Sequence, residues 1–167
     1  MSAECWRGAA HNTPKLIEAL GRTVTRPVPP WLGNFRFWWR KGLDLSPKGL
    51  PQGLSSLIWD EALFLQQACP TVKFNTLFVQ RYEPGESVAS HRDPKNNLDA
   101  TVIGLYGTFG STTLTVDGVQ HPQFPGDVWA LPCTINGRRG PLHRVDWPNP
   151  IPPSVSTRFA IILNRLE

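Results

Sequence analysis

The feature that most constrains this chain is its punctuation. After Phe74, short runs rich in β-branched and aromatic residues alternate with turn signals: NTLFVQRY, SVASH, TVIGLYGTF, TTLTV, DVWAL, LHRV and RFAIILN, separated by EPGE, DPKNN, DG, PG and NG. Runs of this length and composition read as strands, and the separators read as tight turns. Seventeen prolines and fourteen glycines in 167 residues keep every element short. Seven strands packed into so few residues suit a jelly roll. The expected fold class is α+β, mainly β, with helices from the N-terminal part packed on one side.

Upstream of Phe74 the pattern is helical. Thr13 precedes Pro14 and the run KLIEAL, then Gly21 follows. Thr13 suits an N-cap, Pro14 the first helical position and Gly21 a left-handed stop. A second helix is expected over about Leu54 to Ala68, where Leu54, Leu57, Ile58, Ala62 and Leu65 recur at helical spacing, Asp60 and Glu61 lie near the start, and Pro70 ends it. Between them TRPVPPWLGN is irregular. No repeat or linker divides the chain, so one domain is expected over 1–167, with 1–73 helical and 74–167 the β core.

Composition narrows the class further. No apolar run reaches the roughly 20 residues needed to span a bilayer, and the N-terminus lacks the order of a signal peptide. Cys5, Cys69 and Cys133 are odd in number and lack C-x-x-C spacing, which argues against a disulfide framework and favours a reducing intracellular compartment, cytoplasm or nucleus. Seventeen Lys and Arg against thirteen Asp and Glu give a net charge of +4, compatible with a polyanionic partner without requiring one. A monomer with no membrane partner is expected.

His91-Arg92-Asp93 carries the first chemical signal. On an extended segment, residues two apart share a face, so His91 and Asp93 can offer an imidazole and a carboxylate to one divalent metal. A third ligand from a distant strand would complete a two-histidine, one-carboxylate facial triad with positions left open. An H-x-D can also arise by chance as a surface histidine beside a turn aspartate. His143 lies 52 residues on, in the strand-like PLHRV. His11 precedes the first helix, and His121 sits between turn signals. Arg158 opens the most apolar run, where an arginine is costly unless paired. Its fork suits a small dicarboxylate; an ion pair with Asp or Glu at the strand mouth is the plainer alternative.

With these elements in order, the chain resembles the AlkB family of Fe(II)- and 2-oxoglutarate-dependent dioxygenases. The resemblance rests on Gln80-Arg81-Tyr82-Glu83-Pro84-Gly85, His91 nine residues after the tyrosine, Gly126-Asp127, Arg139, His143 and Arg158, and covers about 74–167. It implies a double-stranded β-helix in which His91, Asp93 and His143 ligate Fe(II). It also implies that Arg158 and the Tyr82 hydroxyl hold the distal carboxylate of 2-oxoglutarate, with Gln80 nearby where the family usually has Asn. O₂ would be the second co-substrate. Position 164, where the family carries a second arginine, is Asn164, here a co-substrate contact in its place; Arg165 follows it, and a slip of one residue reverses the face. Lys95 stands where repair members often carry an acid.

The substrate implied is an N-alkylated base in DNA or RNA, demethylated by oxidation as in DNA repair. HRDPKNN is also similar to the TET and JBP enzymes, which hydroxylate 5-methylpyrimidines in DNA, and a protein or small-molecule substrate is a further alternative. In FRFWWRK, an extended chain places Arg36, Trp38 and Arg40 on one face and Phe35, Phe37 and Trp39 on the other. The resemblance makes this region the substrate lid, with Arg36, Trp38, Arg40 and Lys95 against nucleic acid. An amphipathic hairpin covering the sheet is the alternative. Arg138, Arg139 and Arg144 would add charge at the barrel mouth.

Overall fold

A computed structural model describes residues 3–24, 35–40, 54–69, 74–93, 100–132, 134–135 and 138–165; for 35–40, 88, 134–135 and 138–139 the backbone is described and not the side chains. The elements in order are β1 (Glu4–Trp6), α1 (Pro14–Thr23), β2 (Phe35–Arg40), α2 (Ser56–Ala68), β3 (Thr76–Tyr82), β4 (Val88–His91) and β5 (Thr101–Gly107). They continue with β6 (Thr112–Val116), β7 (Val119–Gln123), β8 (Val128–Leu131), β9 (Thr134–Ile135), β10 (Arg138–Arg139), β11 (His143–Asp146) and β12 (Arg158–Asn164). All seven expected strands form. No described helix is long and apolar enough to cross a membrane.

The strands make two main antiparallel sheets. The larger runs β1-β8-β5-β12-β3-β2 and the smaller β4-β11-β6-β7. From β3 onward the chain passes back and forth between them, which is the jelly-roll, double-stranded β-helix arrangement. The short β9–β10 hairpin stands apart. The turn between β6 and β7 is made by Asp117 and Gly118, both at positive φ (47° and 81°), as the tightest hairpin turns require.

Alternation along β12 explains the two cores. Phe159, Ile161 and Leu163 join Leu77, Val79, Val102 and Tyr106 beneath Leu16, Leu20, Ile58, Ala62 and Leu65 of the helices. Ala160 faces the other way, into a cluster between the sheets with Leu105, Phe109, Leu114, Trp129, Leu131 and Val145. A single strand therefore separates a structural core from the interior in which a site can be built.

Helix α1 begins as its sequence dictates, with Thr13 Oγ1 accepting from the Leu16 amide at 3.2 Å. Gly21 does not stop it. The helix continues to Thr23, because Gly21 lies against the Phe159 ring and packing on the sheet outweighs the modest helix penalty of one glycine. Helix α2 starts one residue after Ser55, whose Oγ accepts from the Leu57 amide, and ends at Ala68; Pro70 lies outside the described residues. Glu61 is no surface acid. It is 4% exposed and accepts from the His11 amide (3.1 Å) and the Tyr106 hydroxyl (3.2 Å), with His11 Nδ1 3.0 Å from its other oxygen.

Two further segments depart from expectation. VQHPQ, not among the expected strands, is strand β7, because pairing with β6 from Thr112↔Gln123 to Val116↔Val119 places its backbone in a ladder. Residues 4–6, which carry no strand signal, pair with β8. There Arg7 bridges to Asp127 and donates to the Pro122 carbonyl at 3.0 Å.

Candidate metal and co-substrate site

Three side chains converge between the sheets at one end of the β-helix. His91 ends β4 and His143 opens β11, and the two are register partners. Asp93 lies two residues past His91. His91 Nε2 is 3.8 Å from Asp93 Oδ1, His143 Nε2 is 3.7 Å from the same oxygen, and one ligand atom from each residue falls within 4.8 Å of the others. Ligand atoms each about 2.1 Å from a shared ion lie up to about 4.2 Å apart, so a small contraction would close this cluster around a metal. Among the described residues it is the one such group.

The surroundings fix which atoms face inward. His91 Nδ1 lies 2.8 Å from the Ala89 carbonyl and His143 Nδ1 3.0 Å from the Pro141 carbonyl. A carbonyl accepts only, so in the neutral ring the proton sits on Nδ1 and the Nε2 lone pair is free for a metal. Thr101 donates from Oγ1 to Asp93 Oδ2 at 2.7 Å, which turns Oδ1 toward the two imidazoles. Arg92 alternates away, as strand geometry requires, and donates to the Gly140 carbonyl at 2.6 Å, tying the end of β4 to the loop before His143. His143 is 7% exposed and Asp93 14%, whereas His91 is 44% exposed. The cluster therefore opens on the His91 side.

The ladder of β12 with β5 runs from Arg158↔Gly107 to Leu163↔Val102. Asn164, buried at 6% exposure, consequently stands at the Thr101 end, beside the cluster, and Arg158 at the other. Arg158, Ala160, Ile162 and Asn164 alternate onto the inward face. Ile103 and Ile162 there pack on the interior cluster yet remain half-buried. Arg165 is exposed beyond the strand end, so it does not take the place of Asn164.

Arg158 is 3% exposed and has no carboxylate beside it among the described residues. Its Nη2 donates to Gln123 Oε1 at 3.2 Å, its Nε has no partner, and its guanidinium carbon lies 5.4 Å from the Tyr82 ring centre and 5.8 Å from that of Phe109. Burial lowers its pKa to about 10, partly offset by Tyr82. A buried cation is expensive in isolation, and among the described residues no acid forms the ion pair that is the plainer alternative for this arginine. Tyr82, its register partner, donates from its hydroxyl to Gln80 Oε1 at 2.8 Å. Arg158, Tyr82 and Gln80 thus form one polar group, in which the Arg158 Nε donor has no hydrogen-bond partner.

Other candidates fall outside. His121 rests edge-on against Trp129, ring centres 5.7 Å apart, and His11 is bound to Glu61. Arg144 alternates to the face opposite His143 and pairs with Asp146 at 3.0 Å, so it adds no charge beside the cluster. Lys95 and the side chains of Arg138 and Arg139 lie outside the described residues. Strand β2 is extended, with Arg36, Trp38 and Arg40 opposite Gln80, Phe78 and Thr76 of β3; its side chains are likewise outside the description. Thr101, Thr112 and Gln123 were invisible as site residues, because an isolated Thr or Gln carries no spacing signal and Gln123 lies between Pro122 and Pro125.

No family model matches the chain, and no curated protein matches it. Solved structures do. A viral collagen prolyl hydroxylase from Paramecium bursaria Chlorella virus-1, determined as a 2-oxoglutarate complex, superposes with a TM-score of 0.61 over 100% of this chain and 97% of its own, at 13% identity. A prolyl-4-hydroxylase from Pseudomonas putida gives 0.55, covering 99% and 93%, at 16% identity. These similarities do not show the AlkB family that the residues led one to expect. At such identities the likeness is one of fold: the chain has the jelly-roll architecture of these two prolyl hydroxylases, with two histidines and an aspartate gathered between its sheets.

Proposed function

We propose that the chain is an Fe(II)- and 2-oxoglutarate-dependent oxygenase acting on a protein or peptide side chain. The observation that carries the oxygenase reading is the pairing of a His91–Asp93–His143 cluster with a buried Arg158 on the facing sheet that has no carboxylate beside it among the described residues. The donor set fits iron: two neutral imidazole nitrogens and one carboxylate oxygen suit a divalent ion with further positions open. Iron bound there would supply oxygen activation coupled to oxidative decarboxylation of 2-oxoglutarate. The chain's own contribution is placement. The two carbonyls fix both histidine tautomers, Thr101 turns the carboxylate, and Arg158 with Tyr82 would take the distal carboxylate of the co-substrate by charge-assisted hydrogen bonds. In this reading Asn164 and Gln80 would lie near the co-substrate.

The peptide assignment is supported by the two solved structures, both named as prolyl hydroxylases. Demethylation of N-alkylated bases is the second reading, favoured by the Gln80-to-His91 spacing and by Arg36, Trp38 and Arg40 on a strand beside Gln80. One experiment tests both. The protein is incubated with Fe(II), ascorbate and 2-oxoglutarate, and succinate is measured first without a prime substrate. Proline-containing peptides and methylated oligonucleotides are then examined by mass spectrometry. We expect succinate in the first assay and a gain of 16 Da on a peptide in the second. No iron-dependent succinate would end the oxygenase reading; loss of a methyl group from oligonucleotides, with peptides untouched, would replace the peptide reading by the second.

A further inference from the structure

A cation that must receive an anion poses a design problem, since any protein carboxylate that held it in place would also neutralise it. The residue that holds Arg158 is Gln123, at the end of β7 on the opposite sheet and 1% exposed. Arginine has no acceptor atom, so the side-chain atom facing Nη2 must be the carbonyl oxygen Oε1 of the glutamine. Thr112, the register partner of Gln123, donates from Oγ1 to that same oxygen at 3.2 Å. The amide is therefore oriented from within its own hairpin, and its dipole presents the negative end to the guanidinium. Meanwhile Arg158 Nε is left without a partner, in a buried setting where an unmet donor costs free energy.

We propose that Gln123 is a positioning residue: it fixes the Arg158 guanidinium from the facing sheet by a neutral acceptor, leaving the full positive charge for the distal carboxylate of the co-substrate. The inference rests on the oxygenase reading above and goes beyond it by assigning the selection of a dicarboxylate to a residue outside the metal cluster. The same hairpin spans the site. Its other end, Val116, is paired with His143, and Asp117 bonds Leu142 in both directions, with Asp117 N to Leu142 O at 2.9 Å and Leu142 N to Asp117 Oδ1 at 3.0 Å. Four residue steps separate Thr112 from Val116, roughly 13 Å at about 3.3 Å per step. Gln123 is thus held at a set distance from the metal end.

The test is the isosteric substitution Gln123→Glu, which puts a carboxylate where the amide stood. Binding of 2-oxoglutarate and of 2-oxobutyrate, which lacks the distal carboxylate, is measured calorimetrically on the Mn(II)-loaded protein under anaerobic conditions, together with Mn(II) affinity and thermal unfolding. The expected result is a loss of 100-fold or more in 2-oxoglutarate affinity in Q123E, on the order of what losing a buried charge pair costs. Affinity for 2-oxobutyrate and for Mn(II) should stay within about 3-fold, so the preference for the dicarboxylate collapses. Gln123→Met, which removes the acceptor without adding charge, should lose about 10-fold for 2-oxoglutarate alone, the scale of one hydrogen bond. If Q123E keeps the wild-type preference, the inference is wrong while the oxygenase reading stands. If Q123E does not fold, Q123M decides alone, and an unchanged preference there overturns the assignment. If wild type loaded with Mn(II) binds no 2-oxoglutarate, both fall together.

Discussion

The hydroxyl of Thr101 donates to Asp93 Oδ2 at 2.7 Å, across eight residues of sequence, and this bond sets which carboxylate oxygen meets the two imidazoles. Thr101 is 3% exposed and opens β5, so it is held by the sheet rather than by the loop that carries Asp93. Outer partners of this kind are worth about 10–100-fold in metal affinity. Thr101→Val keeps the shape and removes the donor. It should weaken Mn(II) or Fe(II) binding by about that factor with little loss of stability, measured by metal titration beside urea unfolding; unchanged metal affinity would place Asp93 outside the metal's reach.

The cluster itself gives a sharper expectation. His91→Ala or Asp93→Ala removes one of the three proposed ligands, so iron-dependent succinate formation should disappear while circular dichroism stays close to wild type. Succinate at near wild-type rate from either variant would refute the ligand assignment.

Arg158→Ala should raise the 2-oxoglutarate requirement by about 2–5 kcal/mol in binding terms. Lysine should recover part of it, since an ammonium supplies the charge without the fork. Retention of wild-type affinity in the alanine variant would reduce Arg158 to a structural residue.

The pKa of about 10 at Arg158 has a direction in pH. Burial favours the neutral form in the folded chain, so the unfolded chain keeps its proton to higher pH and the fold gains stability as pH rises through about 10. Binding of a carboxylate runs the other way. The ratio of 2-oxoglutarate to 2-oxobutyrate affinity should be flat from pH 7 to 9 and fall as pH passes 10. Taking the ratio cancels effects at the metal; a flat ratio to pH 11 would mean that Arg158 stays charged there or does not touch the distal carboxylate.

Glu61 offers a stability test far from the chemistry. It serves His11 and Tyr106 together, and burial next to this carboxylate raises the Tyr106 pKa well above its ordinary value. Glu61→Ala leaves a buried hydroxyl without its acceptor and should cost about 1–3 kcal/mol in urea unfolding, with metal affinity preserved.

The sequence alone determined most of the elements and the residue types of the candidate metal cluster. Local patterns encode strands directly: β-branched runs between Pro and Gly turns gave β3, β4, β5, β6, β8, β11 and β12, and Thr13 capped α1 where it stands. His91, Asp93 and His143 were legible because a metal needs particular residue types, and two of the three sit at a fixed local spacing. What the tertiary structure decided was everything set by partners remote in sequence. Gly21 became helical because Phe159 packs against it. VQHPQ became a strand because β6 lies beside it, and residues 4–6 became one because β8 offers a free edge. Arg158 was readable as a costly charge, but whether an acid or an open site awaited it depended on what the other sheet brought opposite. That sheet brought Gln123, held by Thr112. No local pattern marks such a glutamine, because its role lies in a contact made across 35 residues and between two sheets.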